Sequence, residues 1–174
     1  MTRHFEKLLG LFPFSRLAQR GPVLRIYAME RVEPPQTERE FPNPPAPAQV
    51  IRVAREFARG DSCIEVDASW DLWQFDAEWK LAPSLATLLC LGPEFEDATD
   101  DHLRIEFGPD ARFLPIEGVE GSLQMGQSNL KSLLHFVSEI EKNLPVETRK
   151  LWSESGKNFA ELVAQRVGGG DEQA

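Results

Sequence analysis

The residues best suited to chemistry are three carboxylates in a stretch that alternates apolar and polar side chains from Ile64 to Trp79. Glu65, Asp67 and Asp71 share one parity, so they lie on one face of the strand that this alternation predicts. Glu65 and Asp67 would be ~6.6 Å apart, within the range of the carboxylate pair of an inverting glycosidase. Alternating acids are common on a solvated strand face, and no other feature supports glycoside hydrolysis. We therefore favour the interpretation in which these acids lie on a solvated strand face and do not form a catalytic pair.

Other residues with catalytic or metal-binding potential lack suitable neighbours. His102 follows an acidic loop over residues 94–101 but has no second His or Cys at a ligand spacing, and the loop lacks a calcium-binding pattern. Gly-x-Ser-x-Gly and phosphate-loop motifs are absent, and the glycine pairs lack the strand-to-helix context of a dinucleotide site. The sequence predicts no catalytic residue, no metal site and no cofactor.

Two aromatic side chains interrupt the alternation and give the candidate binding site. Trp73 and Phe75 fall on the polar parity, and Lys80 is expected to lie near them across a hairpin. A bulge near Gln74 could return both rings to the core, or the C-terminal helical region could cover them. In the third interpretation the rings form an exposed patch that binds a ligand, a protein partner or a second copy of the chain.

These side chains would be positioned by a long hairpin, whose second strand is predicted over Trp79–Leu91. If its leucine-rich odd-numbered face matches the apolar even-numbered face of the first strand, paired residue numbers sum to an odd value. Ile64 would then lie opposite Leu89, and Cys63 could face Cys90 as a reduced pair. Pro83 indicates an edge strand or a bulge.

Further strands and helices are predicted on both sides of this hairpin, and together they indicate an α+β fold. It has an antiparallel sheet of about four to five strands, packed on one face by helices, with two or more C-terminal helices. We expect a single domain over 1–174, with a proline-rich connector at 30–47 and a flexible tail at 168–174. The remaining predicted elements are an N-terminal helix within 1–21, strands at Val23–Met29, Leu103–Phe107 and Arg112–Leu114, and helices at Ala48–Arg59, Asn129–Leu144 and beyond Pro145.

Composition narrows the classes of function. The 174 residues carry 19 basic and 28 acidic side chains, a formal net charge of −9, which disfavours nucleic-acid binding. Two cysteines without a Cys-x-x-Cys pair indicate a reducing cytoplasm, and no apolar run is long enough to span a bilayer. A basic interfacial segment stays an alternative to the packed N-terminal helix. The sequence predicts a non-catalytic binding or protein-interaction domain. The alternative is an enzyme or small-ligand binder with a carboxylate-lined pocket between sheet and helices, to which Asp67, Asp71 and His102 would contribute the polar groups.

Overall fold

A computed structural model describes residues 2–95 and 101–167. The tail at 168–174, predicted to be flexible, and residues 96–100 of the acidic loop lie outside this part of the chain. The described elements are α1 (Thr2–Leu11), β1 (Val23–Ala28), β2 (Thr37–Glu40), α2 (Pro47–Phe57), β3 (Ser62–Asp76), β4 (Glu78–Leu91), β5 (Leu103–Glu106), a 3-10 turn (Asp110–Arg112), α3 (Ser122–Asn143) and α4 (Phe159–Val167).

The strands form one antiparallel sheet in the order β2-β1-β3-β4-β5, and the fold is α+β with C-terminal helices, as predicted. The chain divides into two compact units. The first contains residues 1–71 and 83–107, and the second contains residues 72–82 and 108–174.

The core of the first unit contains the even-numbered side chains of β1 and β3. Leu24 is paired with Val66 and Ile26 with Ile64, and all four are buried. Helix α2 packs on β1, and α1 packs on α2. Pro47 opens α2, where its fixed φ suits the first helical turn. The two helices contribute buried side chains at helical spacing, namely Phe5, Leu8 and Leu9 from α1 and Val50, Ile51, Val53 and Ala54 from α2.

The predicted parity of the β3–β4 hairpin is wrong. Ser84 and Ala86 of β4 are buried, whereas Leu81 and Leu85 are 44% and 54% exposed. The hydroxyl of Thr87 donates a hydrogen bond to Asp67 (2.7 Å), so odd-numbered residues of both strands share a face. Paired numbers therefore sum to an even value. The longer leucines suggested the opposite face as core, but the small residues are the ones that the packing encloses.

The same parity separates the two cysteines. Cys63 packs with Leu89 and Leu91 rather than facing Cys90, which corrects the expected pairing. Both thiols are free and fully buried. Burial raises the pKa of each to about 12, well above that of an exposed thiol.

We expect neither thiol to react with a thiol-specific disulfide reagent at mildly alkaline pH while the chain is folded. The thiolate is the nucleophile, and both pKa values keep it scarce. Stability should fall as the pH rises from the ordinary thiol pKa toward 12, because the unfolded chain then releases protons that the folded chain retains. Absorbance at 412 nm measures the reaction with the reagent, and denatured protein is the control for full labelling. Rapid labelling of the native protein would contradict the expected lack of reactivity.

The proline-rich stretch at 30–47 is more than a connector, because it contains β2. Its four residues Thr37–Glu40 pair with β1, Glu38 opposite Arg25. Three of the four are charged, so no apolar alternation could reveal the strand. Backbone pairing with β1 holds it in an extended conformation instead. Short, charged edge strands discourage pairing with other molecules.

Pro83 lies in β4 before the stretch that pairs with β5, which covers Thr87–Cys90. The amide of Leu91 donates to the carbonyl of His102, so the odd-numbered amides of β4 are directed toward the β5 side. Pro83 is odd-numbered, so its missing N–H falls on that side and not in the ladder with β3. This agrees with the edge-type position predicted for it.

In the second unit, helix α3 begins at Ser122, seven residues before the predicted start. The buried residues of its first turns are small or polar, including Gly126 and Asn129. A Cβ on Gly126 would be 3.4 Å from the carbonyl carbon of Leu114, so glycine lets the helix approach this backbone closely. The predicted strand around residues 112–114 is also wrong, because a 3-10 turn occupies Asp110–Arg112.

Candidate functional site: an aromatic surface at the end of the hairpin

Four apolar side chains share the odd-numbered parity at the end of the hairpin. We call Trp73, Phe75, Trp79 and Leu81 the hairpin-end surface. The Phe75 and Trp79 rings contact each other, with centroids 5.3 Å apart. Phe75 is 45% and Leu81 44% exposed, while Trp73 and Trp79 are half-buried. The broken alternation of β3 identifies Trp73 and Phe75, whereas the parity predicted for β4, which is wrong, places Trp79 and Leu81 in the core.

The backbone beneath this surface is held by one side chain of α3. Asn129, which is buried, accepts a hydrogen bond from the amide of Trp73 (2.8 Å) and donates one to the carbonyl of the same residue (2.9 Å). Its amide group also donates to the carbonyl of Arg112 (2.7 Å). The side-chain amide thus pairs with Trp73 as a neighbouring strand would, beyond the stretch of β3 that pairs with β1.

The Trp79 ring is fixed from a second direction. Its indole N–H donates to the carbonyl of Glu120 (2.7 Å) in the turn before α3. The following residue, Gly121, has a φ of 76°, and a Cβ there would be 3.2 Å from the indole nitrogen. Glycine therefore meets both the backbone geometry and the close approach of the ring. The two hydrogen-bonded anchors restrict the aromatic surface before any partner binds.

Of the three interpretations of Trp73 and Phe75, complete burial is excluded by the exposure of Phe75. In the C-terminal helical region that could cover these rings, the large aromatic side chains are Trp152 and Phe159, and among the described residues neither has a ring contact with Trp73 or Phe75. Trp152 is 61% exposed, and Phe159 packs on Phe113, with ring centroids 6.2 Å apart. The partial cover comes instead from α3 and the turn that precedes it.

Lys80 lies apart from the aromatic rings. Its ammonium group pairs with Asp76 (3.2 Å), and both residues have even numbers, so they lie on the face opposite the hairpin-end surface. The expectation that Lys80 adjoins Trp73 and Phe75 is wrong for the same reason as the register, because the parity of β4 is the opposite of the predicted one.

The carboxylates Glu65 and Asp67 belong to a charged network of the first unit. Glu65 is 5% exposed and accepts hydrogen bonds from the guanidinium of Arg31 (2.8 and 3.1 Å), with Arg25 at 3.4 Å. Asp67 pairs with Arg25 and accepts from Thr87. Both acids therefore already accept from donors of their own chain, as expected of a structural network and not of a glycosidase pair.

The pocket proposed for a rival enzyme does not assemble around the predicted groups. Asp71 accepts hydrogen bonds from the Ser15 hydroxyl and from the amide of Arg16 (2.8 Å), which fix the segment after α1. His102 is exposed, and its carbonyl is bound by Leu91. A cleft of 660 Å³ exists in this unit, but residues of the stretches 14–21 and 40–44 line it, and Asp67, Asp71 and His102 do not.

Within residues 2–95 and 101–167, no group of three or more His, Cys, Asp or Glu side chains is arranged to hold a metal ion. None of the helices in that part of the chain combines the length and apolar character needed to cross a bilayer. In comparisons with known proteins, no family model, curated protein or solved structure matches this chain.

Proposed function

We propose that this chain is a non-catalytic, cytoplasmic binding domain that binds a protein through the hairpin-end surface. The observation that carries the proposal is the exposure of Phe75 (45%) and Leu81 (44%) directly beside Trp79, whose ring is already hydrogen-bonded in place. Two free, buried cysteines are consistent with a reducing compartment.

A protein partner suits this surface because large aromatic side chains provide much of the binding energy in protein interfaces. Ordering flexible side chains opposes association by roughly 0.5–1.5 kcal/mol for each one immobilised. Glu120 already restrains the Trp79 ring, and Asn129 holds the backbone of Trp73, so binding here would lose less conformational freedom of the Trp79 side chain and of the hairpin backbone. The rival function, catalysis or small-ligand binding, would require Asp67 and Asp71 to exchange their present partners for a substrate.

The test replaces Phe75 and Leu81 together with serine. Because both side chains are substantially exposed, we expect the free energy of unfolding to change by less than about 1 kcal/mol. Affinity for a purified protein partner should fall roughly 100-fold, in the range seen for aromatic anchors of interfaces. The partner is first captured with the wild-type chain and then titrated by calorimetry.

The matched control is Leu134→Ser on α3, which removes an apolar side chain of similar exposure (53%) away from the hairpin. It should bind as the wild type does. Full retention of binding by the Phe75→Ser, Leu81→Ser double variant would reject the hairpin-end surface as the binding site. Sedimentation of the chain alone shows whether that partner is a second copy.

A further inference from the structure

The cleft of 660 Å³ in the first unit is lined by two stretches of chain, 14–21 and 40–44, which are fixed to each other at two points. The side-chain amide of Asn43 donates a hydrogen bond to the carbonyl of Ser15 (2.7 Å). A Cβ on Gly21 would lie 1.6 Å from the carbonyl oxygen of Phe41, so only glycine permits this close approach. The cleft is therefore formed by the folded chain itself, before any ligand binds.

The stretch that carries Arg16 is braced from the sheet. Asp71 accepts hydrogen bonds from the Ser15 hydroxyl and from the amide of Arg16 (2.8 Å), and the same hydroxyl accepts from the amides of Leu17 (3.1 Å) and Ala18 (2.8 Å). Within residues 2–95 and 101–167, the guanidinium of Arg16 forms no hydrogen bond or ion pair. A fixed backbone thus presents a cationic side chain that has no counterion in the described chain.

The other stretch contributes two oxygen acceptors. The carboxylate of Glu40, an exposed residue, accepts a single long hydrogen bond from the amide of Gly21 (3.3 Å), which places it at the cleft. The bond to Ser15 orients the amide group of Asn43, whose side-chain oxygen accepts no hydrogen bond from the described residues. A protonated amine is a ligand group that satisfies a carboxylate and an amide oxygen together.

The cleft therefore has opposite charges on its two stretches, and these charges do not neutralise each other. Arg16 and Glu40 both line it but form no ion pair. A ligand with a charge of opposite sign at each end can bind both. Phe14, Pro42 and Pro44, which we call the apolar lining, suit an apolar body between those ends. The volume lies in the range of sites that enclose small organic ligands.

We propose that this cleft binds a short peptide with free termini, two or three residues long and with apolar side chains. Its terminal ammonium group binds the carboxylate of Glu40 and the side-chain oxygen of Asn43. Its terminal carboxylate binds the guanidinium of Arg16, and its side chains pack on the apolar lining. No residue of the hairpin-end surface lines the cleft, so this site is additional to the proposed protein-binding surface.

The experiment titrates the isotope-labelled full chain with the dipeptide leucyl-phenylalanine and follows the backbone amide signals by nuclear magnetic resonance. We expect the signals of the two lining stretches to shift. Acetylating the amino end or amidating the carboxyl end of the dipeptide should each lower affinity about tenfold, because each change removes one charged group that the cleft binds.

Two variants assign each end of the dipeptide to its residue. Glu40→Gln keeps an acceptor for the amide of Gly21 but removes the charge, so it should weaken the free dipeptide about tenfold and leave the acetylated form unaffected. Arg16→Gln should likewise weaken the free dipeptide and leave the amidated form unaffected. The matched controls, Arg20→Gln and Glu38→Gln, remove exposed charges that do not line the cleft and should bind as the wild type does.

The outcomes of this experiment are independent of the proposed function. The Phe75→Ser, Leu81→Ser variant should bind the dipeptide as the wild type does, and loss of binding in it would overturn the cleft as the site. No signal change at millimolar dipeptide would also overturn the proposal. So would equal affinity for the free dipeptide and a form blocked at both ends, or unchanged binding by both Arg16→Gln and Glu40→Gln. None of these results would alter the test of the hairpin-end surface.

Discussion

Replacing Asn129 with alanine is expected to lower the free energy of unfolding by about 3 kcal/mol. The amide of Asn129 bonds both backbone polar groups of Trp73 and the carbonyl of Arg112, so its loss leaves one donor and two acceptors without this partner. Each buried group left unsatisfied costs roughly 1–3 kcal/mol, although water can reach part of this site and reduce the sum. Urea denaturation measures the change.

The control for this prediction is Gln127→Ala, an exposed position on the same helix. It should change the free energy of unfolding by less than about 0.5 kcal/mol. Asn129→Ala should also change the near-ultraviolet circular dichroism of the tryptophans, because Trp73 loses its tether. Equal stabilities of the two variants would show that Asn129 does not hold the hairpin end.

Replacing Glu65 with alanine is expected to cost about 3 kcal/mol, because two arginines would then lose a buried counterion. Glu65 has 7% of its side chain exposed, and Arg25 and Arg31 approach it from β1 and from the segment after β1. Arg25 keeps its pairs with Glu38 and Asp67, and Arg31 keeps its pair with Glu106. The cost therefore comes from losing the buried carboxylate to which both arginines bond, which places the expected value at the low end of the range for breaking a buried ion pair. Thermal and urea unfolding both report this loss.

Glu38→Gln is the matched control, since Glu38 also pairs with Arg25 but has 58% of its side chain exposed. Exposed ion pairs contribute under about 1 kcal/mol, so this variant should remain close to the wild type. Combining Glu65→Leu with Arg31→Met should recover part of the stability lost in Glu65→Ala. No recovery would argue that the loss comes from packing and not from the broken ion pairs of Glu65.

The elements that sequence analysis predicted correctly are those with strong apolar periodicity. The alternation from Ile64 to Leu72 places every even-numbered side chain of that stretch in the core. Of the apolar side predicted for α2, Val50, Ile51, Val53 and Ala54 are buried, whereas Phe57 at its end is 39% exposed. Periodicity works here because apolar area is what the sheet and helices remove from water.

The elements that were missed depend on other forces. β2 is charged and is ordered by its backbone ladder to β1. The first turns of α3 bury Gly126, which allows a close approach to another backbone segment, and Asn129, which forms hydrogen bonds. Neither residue belongs to an apolar stripe that a periodicity search could detect. β4 buries Ser84 and Ala86 while leaving Leu81 and Leu85 exposed, so counting leucines selected the wrong face.

Two of the four residues of the hairpin-end surface were predicted from the sequence. Trp73 and Phe75 stood out because they violate an otherwise regular alternation, and the structure leaves Phe75 exposed. Trp79 and Leu81 follow only once the parity of β4 is known. The identity of Asn129 alone does not mark it as a functional residue. It lies three residues after Gly126 and four before Leu133, so the three share one buried helix face. A polar residue on a buried face usually has a specific hydrogen-bond partner.

Pro83 has a consequence for the behaviour of the chain at high concentration. A strand from a neighbouring molecule that sought to extend the sheet alongside this part of β4 would need a regular series of amide donors. Proline removes one of them on the side away from β3, without weakening the hairpin itself. The position that permits proline inside a long strand is thus also one where proline hinders pairing with a strand of another molecule.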